Sequence, residues 1–179
     1  MKVKSDFVTN SSSTGFIFMF KGNSRIRFYE KLVRHADKFK LSYDLSYKKP
    51  PVIISCNVWD LIEVIDPRIR RDEGPDRDLW IMKGIDPIDR LIGSHDSNIQ
   101  HYQNMVDGGD EWYKDCLDNE IKYKAKVEKA IEKGFTHCLD IDFGNDGSVS
   151  GNLGDVMDYA GRDIEIDDDD LILITDQRR

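Results

Sequence analysis

The segment Gly15-Phe16-Ile17-Phe18-Met19-Phe20, entered through Thr14 and left through Lys21-Gly22-Asn23, decides how this chain is read. Five consecutive apolar residues, rich in aromatic and β-branched types and bracketed by turn formers, predict a buried strand over Thr14–Phe20. Beyond it, Asn23 or Ser24 is placed to cap a helix in which Ile26, Tyr29, Leu32 or Val33, and Ala36 recur at helical spacing to about residue 38. Residues 40–51, with Pro50-Pro51, predict a loop, and Val52–Ser55 a second short strand. Strand, helix and strand in that order suggest a β-α-β unit.

Val58 to Ile65 predicts a short helix that stops before Asp66-Pro67, because a residue preceding proline is pushed out of the helical region. Residues 66–98 hold Pro67, Pro75 and Pro87 among many Asp and Arg, and predict an irregular insertion with one helical turn at Ile88–Ile92. A helix is expected from about Asp96, broken at Gly108-Gly109. A second is expected from Asp110, with an apolar stripe of Tyr113, Leu117, Ile121, Val127 and Ile131 and a cap at Gly134. Leu139, Ile141 and Phe143 alternate with Asp140 and Asp142, the signature of a strand. A turn at 144–147, a short helix over Leu153–Ala160, and strands over Asp163–Ile166 and Leu171–Thr175 complete the pattern. The expected fold is α/β, with α+β as the variant: one domain over 1–179, a two-layer sandwich with helices on a mixed sheet of four to five strands.

Of the 179 residues, 26 are basic and 34 acidic, for a formal net charge of −8. That total conceals a polarity. Residues 1–50 carry 11 basic and 4 acidic side chains (+7), whereas residues 51–179 carry 15 and 30 (−15). Residues 138–179 alone hold 12 acidic and 3 basic groups, including Asp167-Asp168-Asp169-Asp170. Phosphate is repelled by such a segment, so direct nucleic-acid binding there is disfavoured. The plainest reading of the polarity is that the two halves neutralise each other across the fold. The longest apolar run, Phe16–Phe20, is far short of the roughly 20 residues a membrane span needs. It also falls short of a signal-peptide core, which points to a cytoplasmic protein. Cys56, Cys116 and Cys138 form no C-x-x-C pair and read as small buried residues.

Lys2-Val3-Lys4-Ser5-Asp6-Phe7-Val8-Thr9-Asn10-Ser11-Ser12-Ser13, continued by Thr14-Gly15-Phe16-Ile17, resembles the start of a set of bacterial and phage proteins. These open with a basic segment, then F-V-T-N-S-S-S and an apolar strand. This chain has Thr14-Gly15 where the set continues its serine run. The resemblance implies bacterial or phage origin and brings no activity with it.

Three groups carry possible chemistry. The hydroxyl run Ser11, Ser12, Ser13 and Thr14 before a strand suits an anion, but lacks the glycines and lysine of a phosphate loop; a polar turn is the simpler reading. Arg27, Lys31, Arg34 and Lys38, at steps of four, three and four, stack as a basic stripe on one helix face. Glu30 and Asp37 interleave it, favouring a solvated face or one docked on the protein's own acidic end over a nucleic-acid surface. Asp140 and Asp142, on one strand face, with Asp146 or Asp155 nearby, are the residue types that hold Mg²⁺ for phosphoryl chemistry. Alternating aspartates also mark the solvent side of a strand.

Asp142-Phe143-Gly144 matches the kinase metal-binding triplet, but no glycine-rich loop or H-R-D segment accompanies it. The preferred expectation is therefore a non-catalytic protein-interaction or regulatory factor without cofactor. Its partner is expected to be a protein, conceivably a host basic or nucleic-acid-binding one. The alternative is a Mg²⁺-dependent enzyme acting on nucleotides or nucleic acid through Asp140 and Asp142.

Overall fold

The computed structural model describes residues 13–45, 52–65, 79–81, 85–143, 156–157, 160–161 and 163–178. The apolar segment forms β1, Ser13–Phe20. Both of its edges are taken, by β6 (His137–Phe143) on one side and β8 (Leu171–Arg178) on the other. Beyond β6 lie β4 (Leu79–Ile81) and β5 (Asp86–Pro87), which pair with its opposite ends. Beyond β8 lies β7 (Ile166–Asp167). The order is β4-β6-β1-β8-β7, with β5 beside β6, and every ladder among the described residues is antiparallel.

The absence of polar alternation in β1 has a direct structural counterpart, because successive side chains of a strand point to opposite faces. Phe16, Phe18 and Phe20 join Leu139, Ile141, Leu171 and Leu173 in one buried cluster. Ile17 and Met19 join Cys138, Ile172 and Ile174 in a second, on the other face. The first cluster is covered by α1 (Arg25–Val33), α2 (Val58–Ile65) and a separate hairpin, β2 (Leu41–Leu45) with β3 (Val52–Cys56). The second is covered by the start of α3 (Asp89–Asp107) and the end of α4 (Lys114–Glu132).

The α/β architecture with helices packed on a sheet is thus present, with three corrections. Helices lie on both faces, so the sheet is a middle layer and not one of two; a strand apolar on both sides requires cover on both. Among the described residues the sheet has six strands, all antiparallel, where a mixed sheet of four to five was expected. No β-α-β unit forms, because β6 and β8 occupy both edges of β1 and leave none for β3, which pairs with β2 off the main sheet.

Local signals account for several boundaries. Ser24 caps α1, its Oγ accepting from the Arg27 N–H at 3.3 Å, and Phe28 sets its ring 5.4 Å from Phe18 and 5.0 Å from Phe20. The α4 C-terminus closes at Gly134, whose φ of +84° is the left-handed conformation glycine adopts freely.

Other boundaries depart from expectation. Residues 41–45 are strand, and the helical turn expected at Ile88–Ile92 and the helix expected from about Asp96 are joined through residues 93–95 into one helix, α3. On α4 the inward side is Leu117, Glu120, Val127 and Ala130, while Ile121 is 49% exposed. Leu117 and Val127 keep their expected places, while Glu120 and Ala130 are buried in place of Ile121 and Ile131, and Glu120 meets His95 of α3. Val156, Met157 and Ala160 are helical, as expected of that segment, whereas the turn at 144–147 lies outside the described residues.

Candidate functional site

The basic stripe is closed by the acidic run near the other end of the sequence. Arg27, Lys31 and Arg34 lie along α1, and Lys38 follows in a 3₁₀ turn, Ala36–Phe39. Asp170 sits in the tight connection between β7 and β8, where the Asp168 N–H donates to the Leu171 carbonyl at 2.9 Å. Lys31 and Arg34 both donate to Asp170 Oδ2, the guanidinium at 2.7 Å. His35 Nε2 lies 2.9 Å from the Asp168 carboxylate, and Lys38 donates to the Glu165 carbonyl. From the opposite side of the sheet, Lys133 Nζ reaches Asp167 at 3.4 Å.

The aspartate run is therefore divided between cations on both faces and pins the β7–β8 turn in place. Burial pushes the Asp170 carboxyl up, but hydrogen bonds and charge from Lys31 and Arg34 outweigh it and hold the group below the ordinary carboxylate value. The same contact, with Asp170 the largest influence, raises the Arg34 guanidinium.

Beside this pair opens a cleft of about 420 Å³ lined by Lys21, Arg27, Glu30, Lys31, Arg34 and Asp170. Four cations face two carboxylates. Lys21 is held at its edge with Nζ 5.2 Å from the centroid of Phe135. An anion entering here competes with Asp170 for Lys31 and Arg34. The chemistry available is electrostatic binding.

The other sequence candidates are only partly brought together. Ser13 and Thr14 stand inside β1, in register with Arg178 and Gln177 of β8, while Ser11 and Ser12 lie outside the described residues. Asp140 and Asp142 do share one face of β6, opposite Ile17 and Gly15 of β1. That face is the one α3 and α4 cover further along, and Asp140 is half-buried there. Asp146 and Asp155 lie outside the described residues, and among those described no three His, Cys, Asp or Glu side chains gather as a metal site. Cys56 and Cys138 are buried and Cys116 half-buried, all reduced.

Two features were not anticipated. His95 and Glu120 meet in the buried seam between α3 and α4, Nδ1 2.6 Å from Oε2, and Asn98 Nδ2 donates to Glu120 Oε1 at 3.2 Å. Glu120 carried a readable signal, since it falls at a core-facing position of the Leu117–Val127 register. The second feature is a ring cluster at the α3–α4 turn. Tyr102 and Tyr113 stack at 5.8 Å, Trp112 meets Tyr113 edge-on at 5.1 Å, and His101 adjoins both tyrosines.

Comparison of the chain with protein-family models, curated proteins and solved structures finds no match. The functional reading therefore rests on this geometry alone.

Proposed function

We propose that the protein is a non-catalytic interaction or regulatory factor, cytoplasmic and of bacterial or phage origin, that recognises a partner protein by charge and shape. One observation supports this reading above others: charge of opposite sign is carried by two separate elements, the α1 cleft on one face of the sheet and the distal half of the α3–α4 hairpin. The α1 cleft, with Lys21, Arg27, Lys31 and Arg34, lies on the face of the first cluster. The α3–α4 hairpin, past the part that covers the other face, holds six carboxylates against one lysine between residues 96 and 118. Opposed potentials steer and orient an approaching partner. Direct nucleic-acid binding by the stripe is disfavoured because Lys31, Arg34 and Lys38 are already engaged by Asp170 and the Glu165 carbonyl. A partner with a basic surface, of the kind that elsewhere holds nucleic acid, fits the acidic side.

The test is recovery of a stoichiometric partner from bacterial lysate on immobilised protein at about 0.1 M salt and its loss at about 1 M, where the Debye length drops from about 10 to about 3 Å. Retention at high salt counts against charge-driven recognition. Mg²⁺-dependent turnover of a nucleotide or nucleic-acid panel, abolished by Asp140→Asn with Asp142→Asn, would instead establish the enzymatic reading.

A further inference from the structure

We propose that the distal end of the α3–α4 hairpin is the docking surface itself, and that it takes an arginine- and lysine-rich segment of a partner protein. This deepens the charge-recognition reading and rests on it. The two helices are 19 residues each, yet no residue between 93 and 122 belongs to either core cluster. Beyond His95, α3 has no buried residue, and the 3₁₀ turn Glu111–Tyr113 has none. At 1.5 Å per residue, about 22 Å of α3 and about 13 Å of α4 extend past the part that covers the sheet. This arm is held by its own contacts: His95 with Glu120, Lys124 Nζ with Asp96 at 2.8 Å, and the ring cluster at its end.

The arm's end is built for cations. Trp112 is 66% exposed, and its ring continues into Tyr113, Tyr102 and His101 as one connected aromatic surface. Isolated exposed apolar residues need no explanation, but a contiguous aromatic group on a projecting arm does. Asp107, Asp110, Glu111, Asp115 and Asp118 flank it along the chain, all exposed, with Lys114 the one Lys or Arg between 96 and 118. Indole and phenol faces attract guanidinium and ammonium groups, and the flanking carboxylates add field of the same sense. Nucleic acid is repelled by those carboxylates. A second copy meeting tip to tip brings like charge against like charge. Aromatic and arginine anchors dominate protein interfaces generally, and here the aromatic half is already in place.

The test titrates the intact protein with a synthetic Arg-Lys-Ser repeat peptide, following the Trp112 indole resonance by NMR and the affinity by calorimetry at low and high salt. The expected result is a perturbation centred on Trp112, Tyr113 and Asp110. Affinity falls at least tenfold in Trp112→Ala and in the triple variant D110N/E111Q/D115N. It changes less than twofold in D167N/D169N, which neutralises the other acidic patch. Trp112 is exposed, so Trp112→Ala should keep the parent melting temperature; if it does not, the triple variant decides.

Equal affinity for Trp112→Ala and parent protein overturns the proposal. So do perturbations confined to the β7–β8 turn, and so does self-association that Trp112→Ala abolishes, which would give the tip to a second copy. A salt-sensitive lysate partner still recovered in full by Trp112→Ala removes the tip and leaves the general reading intact. Absence of any such partner, with the peptide still bound at Trp112, removes the general reading and leaves the tip's cation preference standing.

Discussion

His95 Nδ1 lies 2.6 Å from Glu120 Oε2 with both side chains in the seam between α3 and α4, and His95 Nε2 is buried with no hydrogen-bond partner among the described residues. A carboxylate oxygen accepts and an imidazole N–H donates, so the contact calls for a proton on Nδ1, and together with Asn98–Glu120 and Lys124–Asp96 it ties the two helices. Removing one member of a buried pair strands the other without compensation. Glu120→Ala and His95→Ala are each expected to destabilise the protein by about 3 kcal/mol, lowering the melting temperature by roughly 6–12 °C. The double variant His95→Leu with Glu120→Leu should recover much of that loss, since a well-packed apolar pair replaces a buried polar one at little penalty. Additive losses in a double-mutant cycle of melts would contradict a coupled pair.

Asp170 predicts a response to acid. Its carboxyl titrates below the ordinary value of 3.8 because Lys31 and Arg34 outweigh its desolvation. A group whose folded-state pKa is lowered stabilises in full above the unfolded value and loses that contribution as pH falls through the folded one. Asp170→Asn should therefore be less stable than the parent by about 1 kcal/mol at pH 7, a figure reduced for partial exposure, and the two should converge below pH about 4. Denaturant titrations across that range measure it. A gap that persists at pH 2 would assign the effect to packing.

The cysteines predict a response to alkali and to alkylation. Burial pushes the Cys138 thiol up to about 12 and the Cys56 thiol up to about 11, from an ordinary 9.0. Nearby carboxylates, Asp86 and Asp140 for Cys138 and Asp60 for Cys56, add to the effect. The unfolded thiols ionise above pH 9 while the folded ones do not, so stability is fully present below pH 9 and declines toward pH 11–12. In the native state iodoacetamide at pH 8 should label Cys116 first, and a Cys116→Ser protein should label only as fast as it opens. Rapid labelling of that variant would show Cys56 or Cys138 accessible.

Two glycines predict opposite outcomes for one substitution. A Cβ at Gly161 would stand 2.6 Å from the Met157 carbonyl oxygen and 3.1 Å from Phe16 Cζ, so Gly161→Ala must displace backbone and should cost about 1–3 kcal/mol. A Cβ at Gly93 meets nothing within 4 Å, and the residue lies within α3. Gly93→Ala should therefore stabilise the protein by about 0.5–1 kcal/mol. Thermal melts of the two variants should move in opposite directions, and a destabilised Gly93→Ala would mean that this part of α3 is not helical in solution.

What could be read from the chain divides along the line between local and tertiary forces. The α2 helix, Val58–Ile65, was legible because its apolar pattern ends just ahead of Asp66-Pro67, and β1 because five apolar residues allow little else. The stretch 93–95, which joins the turn expected at Ile88–Ile92 to the helix expected from about Asp96, was not. Gly93, Ser94, Asp96, Ser97 and Asn98 are weak helix formers, and this turn of helix is fixed by α4, through Glu120 on His95 and Lys124 on Asp96. Residues 41–45 became strand only through their cross-strand partners 52–56. The docking of the stripe on the acidic run was one of the two readings the interleaved Glu30 and Asp37 favoured, and the structure supplies its residues: Asp170, Asp168 and the Glu165 carbonyl. The aromatic arm left no sequence signal of its own, since Tyr102 and Trp112 become neighbours of Tyr113 only once two helices fold back on each other.

The central place of β1 has a consequence for how the protein is made. Its hydrogen-bonding neighbours are residues 137–143 and 171–178, so during synthesis the most apolar segment leaves the ribosome well before either partner exists. At about 5–20 residues per second the wait is of the order of ten seconds. Over that interval Phe16–Phe20 is a sticky, unpaired nascent strand, and its protection falls to α1, which emerges directly behind it and sets Phe28 on Phe18 and Phe20. Weakening α1 would thus be felt first as a demand on chaperones.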